Sequence, residues 1–282
     1  MGAHNLSNHT KPLYFRTPAF AGLDEASARL VSTPEFRYAK VVQVSGDTQF
    51  VVLRDAALHA GKVLLVPSPR MQRGFTLVDP AGLDPDSLAR AATLNGMRRH
   101  GRQLGVDLEA GLTVDLVVVG AVAVDANTGA RIGSGGGASD LAYALLRRAG
   151  AADDATPVAA IVHRAQLASE FHFGAMLPYD VAVDIICLPD SILRVSSASR
   201  KLPQPKGIYW HLVSPQRLNA TPVLQDLRER LEAESGEPLP IGPPELLPPS
   251  LRSILAPPPP PDVGRRDISR RRGVSTRRPG RR

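Results

Sequence analysis

The sequence predicts an α/β domain, an open and mostly parallel sheet flanked by helices, followed by a disordered C-terminal tail. Three observations carry this. From about residue 40 to about residue 215, short valine- and leucine-rich runs alternate with helix-length segments, as in right-handed β-α-β units. The run at 115–124 is apolar throughout its interior and closed by Asp115 and Asp125, the signature of a strand buried on both faces of a parallel sheet. A glycine-dense segment then leads straight into a helix.

The elements follow in order. Residues 40–44 and 62–66 read as buried strands, and 47–60 between them as a helix ended by Gly61. After the strand at 115–124, residues 125–128 form a turn and 139–149 a helix, with Ser139 as its N-cap and Gly150 beyond its end. Residues 157–162 and 181–187 supply the next strands, and 208–213 an edge strand on which Tyr209 and Trp210 are packing residues. Thr221 caps a surface helix over 221–235, Pro222 fits its first turn, and Leu224, Leu227 and Leu231 form its apolar stripe before Gly236. The expected organisation is an N-terminal segment at 1–35, the α/β domain at 36–236 and a tail at 237–282.

Composition narrows the class. The longest apolar run, 116–124, is far short of the roughly 20 residues of a membrane span. The first residues lack the charged-then-apolar pattern of a signal peptide. The single cysteine, Cys187, leaves no internal disulfide framework or cysteine zinc cluster; it reads as a buried thiol in a strand. A reducing, cytoplasmic setting is expected. The histidines show no metal-ligand spacing.

Residues 257–282 hold nine arginines against two aspartates, a difference equal to the whole net charge of +7. The remaining chain is therefore near neutral. A proline-dense stretch, with an unbroken run at 257–261, favours an extended polyproline II spacer ahead of the arginines. Such a tail can contact nucleic acid weakly through phosphates, or serve only as a solubilising terminus.

Residues 129–146 are the most informative. Gly133, Ser134, Gly135, Gly136 and Gly137 let the backbone turn tightly and bring bare amides close to an anion. The following helix adds N–H groups and partial positive charge. Arg131 can supply a full charge to a phosphate, and Asp140 in the first turn can hold magnesium directly or through water. A structural turn is the bland alternative. A loose dinucleotide pattern is also present, but Asp153 and Asp154 fall in a loop and not at a strand's end, which counts against NAD.

The run VDLVVVGAVAVDANTGARIGSGGGASD (residues 114–140) resembles the segment of 5-formyltetrahydrofolate cyclo-ligases that ends in G-x-R-[LI]-G-x-G-x-G-Y-Y-D. In detail it resembles their divergent methenyltetrahydrofolate synthase domain-containing group. The resemblance includes GDTQFVVLRDAALHAGKVLLVPSPRM (46–71), TPVAAIVHRAQL (156–167), YDVAVDIICLPDSIL (179–193) and KLPQPKGIYWHL (201–212), and so covers about residues 36–213. Ala138 and Ser139 stand where the family has paired tyrosines and the divergent group has tyrosine and alanine. Arg164 stands where the divergent group has aspartate. The family's opening basic helix has no match in residues 1–36, where Lys11 and Arg16 are the nearest substitutes.

The resemblance implies a cyclo-ligase-like three-layer fold and an ATP- and Mg2+-dependent conversion of 5-formyltetrahydrofolate to 5,10-methenyltetrahydrofolate. In that reaction the formyl oxygen is phosphorylated, N10 attacks the activated carbon, and phosphate leaves. Arg131 and Asp140 would then be catalytic, Asp140 would serve the metal, and Gly133, Ser134, Gly135, Gly136 and Gly137 would hold the ATP phosphates. Arg54, His163, Gln166 and Asp184 would contact the folate substrate. Arg54 reads equally as part of a solvated helix face, and His163 as a structural histidine. Asp180 and Asp184 read as one turn cap and one pocket residue. The alternative function is a catalytically degenerate nucleotide- or folate-binding protein whose basic tail contacts RNA.

Overall fold

A computed structural model describes residues 17–168, 176–196 and 203–245. The chain divides into two units, Met1–Pro244 and Glu245–Arg282. Of the second unit only Glu245 is described, so the expected polyproline spacer and arginine tail lie outside the described residues, as do Lys11 and Arg16.

Eight strands form one sheet. In chain order they are β1 (Val41–Val44), β2 (Val63–Pro67), β3 (Phe75–Val78), β4 (Arg102–Gly105), β5 (Leu116–Val119), β8 (Val158–Ile161), β9 (Ile185–Cys187) and β10 (Ile192–Arg194). Across the sheet the order is β10-β9-β8-β5-β1-β2-β3-β4. The five central strands run parallel; β3 and β10 run against them, and β4, paired antiparallel with β3, returns to their direction. Two short strands, β6 (Ala123–Val124) and β7 (Arg131–Ile132), pair separately as an antiparallel ribbon.

The valine-rich strands are central because both of their faces are covered. Val117 and Val119 enter a cluster with Ala142, Tyr143, Leu145 and Leu146 of α6 (Ala138–Arg148) and Leu227 of α8 (Pro222–Ser235). Leu116 and Val118 point the other way, as a period of two requires. They pack with Leu30 of α1 (Leu23–Ser32), Phe36 of α2 (Pro34–Tyr38) and Leu53 and Leu58 of α3 (Val51–His59). Ala91 of α4 (Pro85–Ala91) and Met97 of α5 (Leu94–His100) close that layer. The result is helix, sheet, helix: three layers over two apolar interfaces.

Several elements differ from the sequence reading. The strand expected at 115–124 stops at Val119, because Gly120 is crowded by other chain segments and Val122 turns away to bond Ile132. Of 181–187 only the last three residues join the sheet. Ahead of them the backbone of Ala182 exchanges two bonds with the Gln204 amide, and Val183 donates to Gly129. The edge strand at 208–213 is instead a 3-10 turn, Trp210–Leu212, although Trp210 does pack on the core. The α6 helix begins at Ala138 with Gly137 in the left-handed region (φ 62°) as N-cap, so Ser139 lies in the first turn. Thr221 occupies the N-cap of α8 without a side-chain bond. Helices α1, α2, α4 and α5 were unforeseen, although Thr33-Pro34 and Asp84-Pro85 are capped starts with proline in the first turn.

Two consequences can be measured. A Cβ at Gly96 would fall 1.8 Å from the Arg90 carbonyl oxygen. Gly96→Ala, which elsewhere in a helix stabilises, is therefore expected to destabilise by about 1–3 kcal/mol in urea unfolding; a gain in stability would refute the α4–α5 packing. Burial pushes the Cys187 thiol up to about 12. Since the thiolate is the nucleophile, alkylation at mildly basic pH should track global unfolding, and rapid labelling of the native chain would contradict the burial.

Candidate functional site

Strands β1 and β5 lie side by side, yet the chain leaves β1 toward β2 and β5 toward β8. Their C-terminal loops therefore diverge, and such a switch point opens a ligand crevice in an α/β sheet. Residues 45–50 follow β1 and residues 120–122 follow β5. Thr17 crosses between them, its hydroxyl donating to Asp47 Oδ2 at 2.6 Å, while the Gln49 amide donates to the Thr17 carbonyl at 3.3 Å. Gly120 permits this crossing: a Cβ there would stand 2.7 Å from Thr17 Cγ2 and 2.9 Å from Asp47 Oδ2.

Three buried polar side chains hold these loops. Arg54 on α3 is 1% exposed and donates to the carbonyls of Ala92 (2.8 Å), Ser45 (2.8 Å) and Asp47 (2.9 Å). It belongs to the interior, not to a solvated helix face. Burial lowers its pKa to about 10, so it stays charged at neutral pH. Gln166 donates to Ala121 O at 2.8 Å and accepts from His163 N at 2.8 Å, tying the end of β8 to the loop after β5. Arg131 on β7 donates to Gly120 O at 3.0 Å and Val181 O at 3.1 Å and bonds Asp140.

The Arg131–Asp140 ion pair sits under the glycine loop. Its side chains are 1% and 12% exposed, and Asp140 Oδ1 also accepts from Val181 N at 3.0 Å. Removing one member of such a buried pair typically costs ~3–5 kcal/mol. Gly133 is dictated by the same contact, since its Cβ would lie 2.8 Å from Arg131 Nη1. Gly135 and Gly137 take left-handed backbone (φ 83° and 62°) and curl the loop into α6. Among the described residues a Cβ on Gly136 would meet Ser134 Oγ alone, at 4.0 Å, so they leave room beside the loop there. The first-turn N–H groups of α6 have no intrahelical acceptors, which makes this a setting suited to an anion.

His163 ends β8 beside Phe20, ring to ring at 5.8 Å, and its Nδ1 accepts from Ala165 N at 3.1 Å. An accepting Nδ1 places the proton of the neutral ring on Nε2. Arg164 is exposed and paired with Asp190 at 2.8 Å. Asp184 does not join the site. It precedes β9 and accepts from Val158 N at 2.9 Å, at the opposite end of the parallel strands; its position in an extended segment concealed which end of the sheet it occupies. Asp180 caps the turn at Leu177 N (2.7 Å), as the sequence suggested. Asp153 closes a turn onto Thr156 N at 2.9 Å and Asp154 pairs with Arg147, so neither is placed to read a ribose.

Sequence reasoning missed Thr17, Asp47, Gln49 and Arg217. The first three needed the topology that brings residue 17 against the ends of β1 and β5. Arg217, on α7 (Pro215–Ala220), donates to Gly136 O, a pairing over 81 residues that no local pattern announces. A cavity of about 350 Å³ lined by Pro34, Glu35, Tyr38, Ala39 and Asp115 lies at the other end of β1 and β5.

Burial, aided by the neighbouring Asp140 charge and against the pull of the Leu177 N–H and Arg131, raises the Asp180 pKa. A carboxyl with a raised folded-state pKa binds more protons than in the unfolded chain, so its contribution falls as pH rises through that folded value. Urea midpoints between pH 4 and 7 should therefore decline less in Asp180→Asn than in the wild type; an unchanged profile would remove Asp180 from the account.

A model of the 5-formyltetrahydrofolate cyclo-ligase family matches residues 7–189. Methenyltetrahydrofolate synthase domain-containing proteins are 36% identical over 239 residues in Mus musculus and 34% identical over 268 residues in Bos taurus. These alignments take in 84% and 90% of this chain but 62% and 68% of the relatives, so the chain spans about two thirds of their length. The NMR structure of Aquifex aeolicus 5,10-methenyltetrahydrofolate synthetase is 21% identical, covering 62% of this chain and 82% of that one with a TM-score of 0.41. With the family model spanning most of the described sheet and relatives aligned along nearly all of the chain, this protein belongs to the 5-formyltetrahydrofolate cyclo-ligase family.

Proposed function

We propose that this chain closes 5-formyltetrahydrofolate to 5,10-methenyltetrahydrofolate with ATP and magnesium, or performs close one-carbon chemistry on a folate. The observation that supports this reading is the glycine loop, braced from below by Arg131 and Asp140 and left room at Gly136 by the described residues. A nucleotide's phosphates fit that cradle. The backbone N–H groups of residues 133–138 would receive them, with Ser134 Oγ as a further hydrogen-bonding group.

Magnesium favours phosphate oxygens, water and one or two carboxylates over an all-protein cage. Among the described residues no three His, Cys, Asp or Glu side chains gather as a metal cluster. Asp140 Oδ1 is engaged by Arg131 and Val181 N. A metal carried in with phosphates would therefore meet Asp140 through Oδ2 or through water, and would offset phosphate charge. The folate would lie against the C-terminal ends of β1, β5 and β8, near His163. Arg54 and Gln166 serve there by fixing loop carbonyls, and Arg131 by fixing the cradle. Such chemistry relies on positioning and charge neutralisation more than on a protein nucleophile.

A second reading is favoured by two specific features. Ala138 stands where the resemblance places an aromatic ring able to pack on a ligand, and the Arg131 guanidinium is engaged by Gly120, Val181 and Asp140. A binding protein without turnover would keep the loop and lack these contacts.

The test is absorbance of the methenyl-folate chromophore on mixing protein, 5-formyltetrahydrofolate and MgATP. Product should require MgATP. Gly136→Val fills the cradle without straining a left-handed residue, so it should raise KM for ATP at least about tenfold with the unfolding midpoint unchanged. Wild-type kinetics in that variant would move the nucleotide away from the loop. Absence of product alongside calorimetric MgATP binding would establish the second reading.

A further inference from the structure

The helix pair α7–α8 lies beyond the 7–189 region that matches the family, yet it reaches back to the glycine loop. We propose that Arg217 on α7 is a positioning residue that sets the Gly136–Gly137 peptide of the cradle; for its effect on a nucleotide the idea rests on the function proposed above. Arg217 Nη1 donates to Gly136 O. Its guanidinium lies beside Gly137, where an added Cβ would stand 3.8 Å from the guanidinium carbon.

In a trans peptide the carbonyl and the following N–H point in opposite directions, and the described chain has no cis bonds. Holding Gly136 O toward Arg217 therefore turns the Gly137 N–H the other way, at the junction of loop and helix. A Gly-Gly peptide flips easily because neither residue has a Cβ to oppose it. The loop's own sequence thus cannot choose this orientation, and a fixed donor from outside can.

Arg217 is itself well fixed. Ser214 is buried, caps α7 and accepts from Arg217 N at 3.0 Å. The Gln225 amide of α8 donates to Leu218 O at 3.0 Å and Asn219 O at 3.2 Å, closing the corner between the two helices. Val223, Leu224 and Leu227 of α8 are buried, the first and last within the cluster that also holds α6. The position of the guanidinium is thereby referred to the same core that positions the loop's helix.

The experiment compares full-length wild type, Arg217→Gln and Arg217→Lys by hydrogen–deuterium exchange and by MgATP titration calorimetry. Arg217→Gln should speed exchange at 134–139 with the global unfolding midpoint unchanged, and weaken MgATP binding about tenfold, the worth of one charge-assisted hydrogen bond. Arg217→Lys, which keeps the charge and a donor, should recover part of both. If the enzyme turns over, KM for ATP should rise while kcat stays within about twofold. Unchanged loop exchange in Arg217→Gln overturns the proposal, whatever the wild type binds. Faster exchange with undiminished MgATP affinity also overturns it, by reducing Arg217 to a purely structural contact. Failure of the wild type to bind MgATP instead sinks the nucleotide reading, and the exchange data then decide by themselves whether Arg217 sets the loop.

Discussion

A guanidinium with 1% of its side chain exposed needs its donors met inside the protein, and Arg131 meets this with three separate parts of the chain. Gly120 ends β5, Val181 leads toward β9, and Asp140 stands in the first turn of α6. The ribbon that carries Arg131 is short, so this one side chain fixes where the glycine loop leaves the sheet and where its helix starts. Gly133 follows as a steric consequence. The crevice and the cradle are therefore one construction: a change to the ion pair shifts both.

The same logic runs across the sheet with opposite signs at its two ends. At the C-terminal ends of the parallel strands, Arg54, Arg131 and Gln166 donate to loop carbonyls. At the N-terminal ends Asp115 accepts from Lys40 N and Val41 N, and Asp184 accepts from Val158 N. Main-chain groups leaving a sheet need partners, and here charged side chains provide several of them. The result is cationic support at one end and anionic support at the other. The first is also the end where the strand order reverses.

Gly133, Arg131 and Asp140 form a mutually dependent set under the glycine loop. Helix α8 buries apolar side chains in the cluster that also holds α6, and α7 brings a second arginine to the loop. Family membership accounts for the fold.

Alternation of apolar runs and helical segments was legible in the sequence because burial on two faces leaves continuous valine and leucine, as at 116–119. The glycine loop was legible because consecutive glycines have few other uses between a strand and a helix. Cys187 in a buried strand was equally readable from its apolar neighbours. Strand ends were not, since Gly120 stops β5 only because Thr17 and Asp47 stand against it. Nor were the partners of Arg54, Arg131 and Asp184. A charged side chain among apolar neighbours announces that it must be satisfied, but its partners come from segments tens of residues away. Sequence by itself determined the α/β class, the glycine loop and the family. Only the tertiary structure decided which end of the sheet each polar residue serves, because that depends on strand order and not on spacing along the chain.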